Sequence, residues 1–97
     1  MLNILWSERA LRRRIEIYVA VAEYAGVQSA DYYMSEFDRV LDLAAANPKM
    51  GKIGIVPNTR ELCPVKHKYR IVYEIQQDTI FVLTVKNCRQ LHTAQDC

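Results

Sequence analysis

The chain has 97 residues, of which 51% are hydrophobic, and a formal net charge of +2. This length and apolar content suffice for one domain with its own core, without metal or disulfide staples. The net charge is well below that of a dedicated nucleic-acid binder. No apolar run approaches the ~18 residues of a membrane span, and residues 1–7 are too short and polar for a signal peptide. The composition therefore predicts a soluble, cytoplasmic protein.

The three cysteines, Cys63, Cys88 and Cys97, are widely spaced and form neither a CxxC motif nor a cluster with histidine. This usage is typical of reduced thiols in the cytosol, so we expect no disulfide framework and no zinc site. We expect no other metal and no cofactor either. Cys63 and Cys88 are predicted to be buried or half-buried strand residues.

The first predicted element is a short strand at Asn3–Trp6. Ser7 then reads as a helix N-cap, with Glu8 favourably placed in the first turn. A helix to about residue 24 follows, ended by Gly26. Its predicted core stripe consists of apolar residues at helical spacing: Leu11, Ile15, Tyr18, Val19 and Ala22.

A second helix is predicted from about residue 28 to residue 46, where Asn47 and Pro48 stop it. Its apolar stripe is Ala30, Tyr33, Phe37, Val40, Leu41 and Ala44. Two helices of this length with a minimal turn between them must pack as an antiparallel hairpin. We expect Phe37 to lie between this hairpin and a sheet, opposite Tyr73 and Leu83.

The remaining elements are strands. Residues 49–58 predict a loop, and Thr59–Val65 predicts a strand with a bulge or an end at Pro64. Residues 69–75 and 79–85 are rich in β-branched and aromatic residues and are separated by three polar ones, which predicts a tight antiparallel hairpin. The fold class is therefore α+β, with an N-terminal helix hairpin packed on a small antiparallel sheet in the order β-α-α-β-β-β. We predict one domain over residues 1–97, with a flexible tail at 91–97.

Several motifs, taken in succession, carry a resemblance. Asn-Pro-Lys-Met-Gly follows the second helix, and Thr-Arg-Glu-Leu, Tyr-Arg-Ile-Val-Tyr-Glu-Ile and Ile-Phe-Val-Leu-Thr-Val come after it, with Arg-Gln at residues 89–90. Over residues 5–90 the chain resembles the RelE/ParE superfamily, the toxins of bacterial type II toxin–antitoxin modules. The resemblance implies the fold already predicted from the pattern and a cognate protein antitoxin as partner.

The resemblance also implies one of two activities. RelE-like members cut mRNA on the ribosome with a cluster of basic residues and, usually, a tyrosine near the C-terminus. ParE-like members are not nucleases and poison DNA gyrase. If the chain is a ribonuclease, its catalytic residues would be Arg70, Arg89, Arg60, Lys52 and His92. Because residues 91–97 contain no tyrosine, and because the net charge is low for a protein that binds ribosomal RNA, we favour the ParE-like activity.

Under either activity we predict a surface that binds the target or the antitoxin, formed by Arg60, Arg70, Arg89, Gln90, Leu91 and His92. Arg70 opens one strand of the predicted hairpin and Arg89 follows the other, so both belong at the same end of the sheet. Arg60 is predicted to share the outward face of Arg70. Structural roles for these arginines stay open, as do loss of toxicity, a mainly regulatory role of the pair, a homodimer and a toxin–antitoxin hetero-oligomer.

Overall fold

A five-stranded sheet covered on one face by two helices forms the body of the protein. The structure is a computed structural model, and it describes residues 1–65 and 68–88. The elements in chain order are β1 (Asn3–Trp6), α1 (Glu8–Ala25), α2 (Val27–Ala46), β2 (Lys52–Ile53), β3 (Thr59–Val65), β4 (Tyr69–Gln76) and β5 (Thr79–Asn87). The strand order across the sheet is β1-β5-β4-β3-β2. The predicted α+β fold is therefore confirmed, with β2 as an additional short strand.

The hairpin of β4 and β5 lies at the centre of the sheet, as predicted. Its turn is formed by Gln77 and Asp78, and Gln77 adopts a φ of 53°. Along β5 the register slips once: Val72 lies opposite Thr84 and Tyr73 opposite Val82, so Leu83 is an extra residue. Because a bulge reverses which side chains face the core, Ile80, Val82 and Val85 all point inward.

The first strand departs from the prediction of an antiparallel sheet. β1 pairs with β5 in parallel, with Asn3 opposite Thr79 and Trp6 opposite Val82. Parallel neighbours need a long crossover between them, and the rest of the chain supplies it. The sheet is therefore mostly antiparallel, with one parallel edge.

The helix hairpin begins and ends where local sequence signals place it. The Ala10 backbone N–H donates to Ser7 Oγ at 3.0 Å, and Ser7 Oγ itself donates to the Leu83 carbonyl at 2.9 Å. Gly26, with a φ of 95°, separates the two helices. A residue with a side chain would be strained at that φ. The Ser7 cap thus anchors the start of α1 to the bulge of β5.

The core-facing stripe of α1 differs from the predicted one. Its buried residues are Ala10, Ile17 and Val21, and of the predicted stripe only Tyr18 and Ala22 pack against the core, both half-buried. Leu11, Ile15 and Val19 are exposed. Two arginines lie beside the buried stripe and obscure its apolar pattern in the sequence. Arg13 donates to the Val85 carbonyl, and Arg14 lies over the Trp6 ring and forms an ion pair with Asp38.

The stripe predicted for α2 is confirmed. Its fully buried members are Ala30, Phe37, Val40, Leu41 and Ala44, joined by Ala45. Phe37 is 0% exposed and meets the Tyr69 ring edge-on, at 6.1 Å between ring centroids. Tyr73 belongs to the same core cluster, whereas Leu83, expected beside Phe37, is only half-buried because it is the bulge residue.

The cysteines also depart from expectation. Cys88 is buried, as predicted, but it is disulfide-bonded, so the prediction of reduced thiols is wrong for this residue. Cys63 is exposed because it lies between the buried Leu62 and Pro64 and so points away from the helices. The predicted irregularity at Pro64 is confirmed by a register shift between Leu62 and Val65.

Neither α1 nor α2 combines the length and the apolar character that a membrane-spanning helix requires, and this finding covers the described residues.

Candidate functional site

The basic residues singled out in the sequence do not form one described cluster. The register places Arg60 opposite Tyr73, on the helix side of the sheet. Arg70 shares the opposite face with Val72 and Glu61. The prediction that Arg60 and Arg70 share a face is therefore wrong. In the observed register up to Leu62, even-numbered residues of β3 lie opposite odd-numbered residues of β4, which puts the two arginines on opposite faces of the sheet. Arg89, Gln90, Leu91 and His92 lie outside the described residues.

Arg70 is held inside the sheet's outer face by a carboxylate. Its Nη1 donates to Glu61 Oε1 at 2.6 Å, and the two side chains are 5% and 8% exposed. In this buried setting, the short charge-assisted hydrogen bond lets each group compensate the charge of the other. Arg70 therefore has little surface with which to meet a phosphate or a partner's carboxylate.

Arg60 is committed to the backbone of the segment after α2. Its Nη1 donates to the Lys49 carbonyl at 3.1 Å and to the Gly51 carbonyl at 2.8 Å. Tyr73 holds the same segment: its hydroxyl donates to the Pro48 carbonyl at 2.7 Å and accepts from the Gly51 N–H at 3.3 Å. A Cβ at Gly51 would lie 2.7 Å from that hydroxyl, so only glycine fits there.

Burial raises the pKa of Tyr73 above its usual value of 10.0, more than the Gly51 N–H lowers it. The hydroxyl is protonated at neutral pH, as it would be without the shift, and donates a hydrogen bond to the Pro48 carbonyl. Tyr73 is a structural clamp for the segment that carries Lys52, and its geometry does not suit a proton-transfer role.

Lys52 differs from the two arginines because it is exposed. It lies on β2, opposite Glu61, and the adjacent depression of about 120 Å³ is lined by Lys52, Ile53, Ile55, Glu61, Cys63 and Arg70. Sequence reasoning missed Lys86, which lies opposite Arg70 on β5 and is half-buried. The register of the predicted hairpin, which pairs the start of β4 with the end of β5, could have identified Lys86 as a neighbour of Arg70. Lys86 and Lys52 are therefore two cations on the same face as the buried pair.

A second surface has an apolar character. Five large apolar side chains are exposed around the edge strand β2, and we call them the β2 corner: Met50, Ile53, Ile55, Val56 and Ile75. Ile53 and Ile55 are 82% and 80% exposed. A depression of about 400 Å³ at this corner is lined by Ile53, Asn58, Thr59, Arg60 and Ile75. No group of His, Cys, Asp or Glu among residues 1–65 and 68–88 could hold a metal ion.

Comparisons with known proteins agree with this architecture. The family model for the ParE toxin of the type II toxin–antitoxin system, parDE, matches residues 4–92. A chain from the chromosomal ParDE TA system of P. aeruginosa superposes with a TM-score of 0.78 at 18% identity, covering 90% of this chain and 96% of that one. Comparison with curated protein sequences gives no significant match.

Two further structures share the fold. A chain of the intact E. coli RelBE toxin–antitoxin complex superposes with a TM-score of 0.63 at 18% identity, covering 90% of this chain and 96% of that one. The YoeB–YefM complex from Staphylococcus aureus gives a TM-score of 0.57 at 18% identity, covering 89% and 95%. At these identities the superpositions establish the fold, and the family model spans nearly the whole chain. The chain therefore belongs to the ParE family, the toxins of type II toxin–antitoxin systems.

Proposed function

We propose that this toxin inhibits growth by poisoning DNA gyrase in the cytoplasm and that a cognate antitoxin neutralises it. The burial of Arg70 carries the first part of the proposal. Arg70 is the arginine that matches the RelE-type motif, and a ribonuclease would need its guanidinium to reach the RNA phosphate. Here the Arg70 side chain is 5% exposed and bound to Glu61, an arrangement that favours a structural role.

Arg60, another member of the predicted catalytic set, and its neighbour Tyr73, which was not in that set, add to this argument. Arg60 Nη1 donates to two backbone carbonyls, those of Lys49 and Gly51. The Tyr73 hydroxyl, whose pKa is raised by burial, holds the same backbone segment through the Pro48 carbonyl. Of the predicted catalytic set, Lys52 is the exposed member among the described residues. One lysine cannot both align a 2′-OH and stabilise the charge that develops on a phosphate.

The comparisons support the same choice. The TM-score is higher for the ParDE chain than for the RelBE chain, at equal identity and coverage. All three quoted structures come from toxin–antitoxin systems, and two are described as toxin–antitoxin complexes, which supports a protein antitoxin as partner.

The proposed contact with gyrase lies at the end of the sheet where β5 ends. Tyr69 pairs with Asn87 and Arg70 with Lys86, so the start of β4 and the end of β5 are side by side. The Cys88 N–H donates to the Lys68 carbonyl at 3.0 Å and continues this pairing by one residue. Arg89, Gln90, Leu91 and His92 follow immediately, and we propose that they contact the target.

The test is induction of the chain without its antitoxin, with gyrase-linked DNA breaks and mRNA cleavage measured in the same cells. We expect DNA breaks and an intact mRNA pool. Deleting residues 91–97 should abolish the breaks while the truncated protein still binds the antitoxin, which serves as the folding control. Early cleavage of mRNA without DNA breaks would overturn the proposal in favour of a ribosome-dependent endoribonuclease.

A conservative variant sharpens the test. Arg89→Lys should retain most gyrase poisoning, because a protein–protein contact tolerates an exchange of one cation for another better than bidentate phosphate binding does. A ribonuclease that aligned its phosphate with Arg89 would lose most of its activity in the same variant. Arg89→Ala provides the reference for complete loss of the charge.

A further inference from the structure

Within residues 1–65 and 68–88, β2 is an edge strand with no neighbouring strand on its outer side. The Gly54 N–H donates to the Thr59 carbonyl at 2.8 Å, and Ile53 lies opposite Arg60. In an antiparallel pair, hydrogen-bonded and non-hydrogen-bonded positions alternate. The backbone N–H and C=O of Ile53 are therefore directed away from β3, toward the side where a further strand would lie. Natural edge strands usually block such a position, and here an exposed isoleucine occupies it.

The two faces of this edge offer different environments. Ile53 and Arg60 lie on the helix side, beside Ile75, and line the depression of about 400 Å³. Lys52 and Glu61 lie on the other side and line the depression of about 120 Å³. Side chains of an added strand would alternate between these two faces. One row would enter the depression that Ile53 and Ile75 line together with Asn58, Thr59 and Arg60, and the other would meet Lys52.

The helices do not cover this region. α1 packs on β5, and α2 packs mainly on β3, with smaller contacts to β1 and β5. The β2 corner consequently keeps its apolar side chains in water, including two isoleucines that are about four-fifths exposed. Several exposed apolar side chains around an edge strand mark a site for another chain.

Charge indicates which chain. The exposed lysines Lys49 and Lys52 border the corner, and the carboxylate opposite Lys52, that of Glu61, is already paired with Arg70. Two copies of this chain paired through β2 would bring their lysines together, and like charges across strands are unfavourable. A segment with alternating apolar and acidic residues could pack its apolar side chains on the β2 corner and pair its carboxylates with Lys49 and Lys52.

We propose that the β2 corner binds an extended segment of the antitoxin, which adds a sixth strand beside β2 and directs its carboxylates to Lys49 and Lys52. This inference rests on the proposed existence of an antitoxin but not on the identity of the target. It centres the neutralising contact on β2. Arg60 and Arg70, which were predicted from the sequence to bind the target or the antitoxin, line the depressions on either side of this strand.

The test compares two exposed isoleucines. Ile53→Glu changes the β2 corner, and Ile15→Glu changes an isoleucine of α1 that is 63% exposed and distant from it. The probe is the antitoxin encoded beside this chain, and its dissociation constant is measured for each variant. We expect binding at least about tenfold weaker for Ile53→Glu, as for other central interface anchors, and within about twofold of wild type for Ile15→Glu. Lys52→Glu should weaken binding and reduce its dependence on salt.

A second measurement reports on the strand itself. Hydrogen exchange of the Ile53 amide should slow by about tenfold or more when the antitoxin binds, because that N–H gains a partner. Unchanged melting midpoints show that the variants fold. Normal binding by Ile53→Glu with weak binding by Ile15→Glu would overturn the proposal and place the antitoxin on α1. A dimer of the chain alone that Ile53→Glu dissociates would overturn it in favour of a second copy.

The proposed function fails differently. If the induced chain harms no cell and the neighbouring reading frame yields no protein that binds it, the antitoxin itself is lost and this proposal falls with it. If the antitoxin binds the wild type and Ile53→Glu equally well, the toxin–antitoxin assignment stands and only the β2 site is overturned.

Discussion

The centre of the sheet and the β2 corner contain the same kinds of residue but differ in what covers them. Ile71 and Tyr73 on β4 are 0% exposed beneath the helices, whereas Ile53, on the same face two strands away, is 82% exposed. Apolar character therefore does not by itself specify the core of this protein. The position of the helices decides which apolar residues stabilise the fold and which remain for a partner.

The largest effect should come from emptying the covered region. Phe37→Ala removes a fully buried ring between α2 and the sheet, and we expect a loss of about 3–5 kcal/mol in the free energy of unfolding. Tyr32→Ala, at an exposed position of the same helix, should change the unfolding free energy by about 0.5 kcal/mol or less. Denaturant unfolding of both variants measures the difference, and equal midpoints would show that the covered region is not the core.

The second effect concerns the buried ion pair. Glu61→Ala leaves the Arg70 guanidinium buried without its carboxylate, and we expect a loss of about 3 kcal/mol, the low end for breaking such a pair. Replacing both residues, as Glu61→Leu with Arg70→Met, should recover most of that stability because no unpaired charge remains. Chemical denaturation of the single and double variants gives the comparison. A double variant as unstable as Glu61→Ala would contradict a purely structural pair.

The sequence predicted the buried face of one helix but not that of the other. The stripe of α2 was predicted because its buried residues are apolar and nothing charged interrupts them. The stripe of α1 was not, because its buried face is narrow and carries Arg13 and Arg14 at its borders. Leu11, Ile15 and Val19 formed a longer apolar row, and their exposure depends on packing that no local pattern encodes.

The site was harder to predict than the fold for a related reason. The residue types Arg60, Arg70 and Lys52 were identified, but their faces depend on the register between β3 and β4 and on the shift near Pro64. That register is a tertiary property, since slipping by one residue exchanges the two faces. β2 was missed because a two-residue strand between glycines has no propensity signal and exists through its pairing with β3.

The smallest effect should come from the uncovered region. Ile53→Ser should change the free energy of unfolding by about 0.5 kcal/mol or less, since this side chain is already in water. The same exchange at Ile71 would remove a fully buried side chain and should destabilise by several-fold more. Thermal unfolding of the pair completes the comparison, and a marked loss at Ile53 would mean that the corner contributes to the fold of the isolated chain.

The parallel pairing of β1 with β5 has a consequence for the synthesis of the protein. Of the described strands, β1 is synthesised first and β5 last, yet the two pair, with Asn3 opposite Thr79. β5, which ends at Asn87, lies between β1 and β4 in the sheet. Contacts of such long sequence separation form late, and a core that needs them cannot close on a growing chain. The nascent polypeptide thus cannot complete its sheet until β5 has left the ribosome, so β1 and α1 lack a strand they pack on until residue 87 has been made.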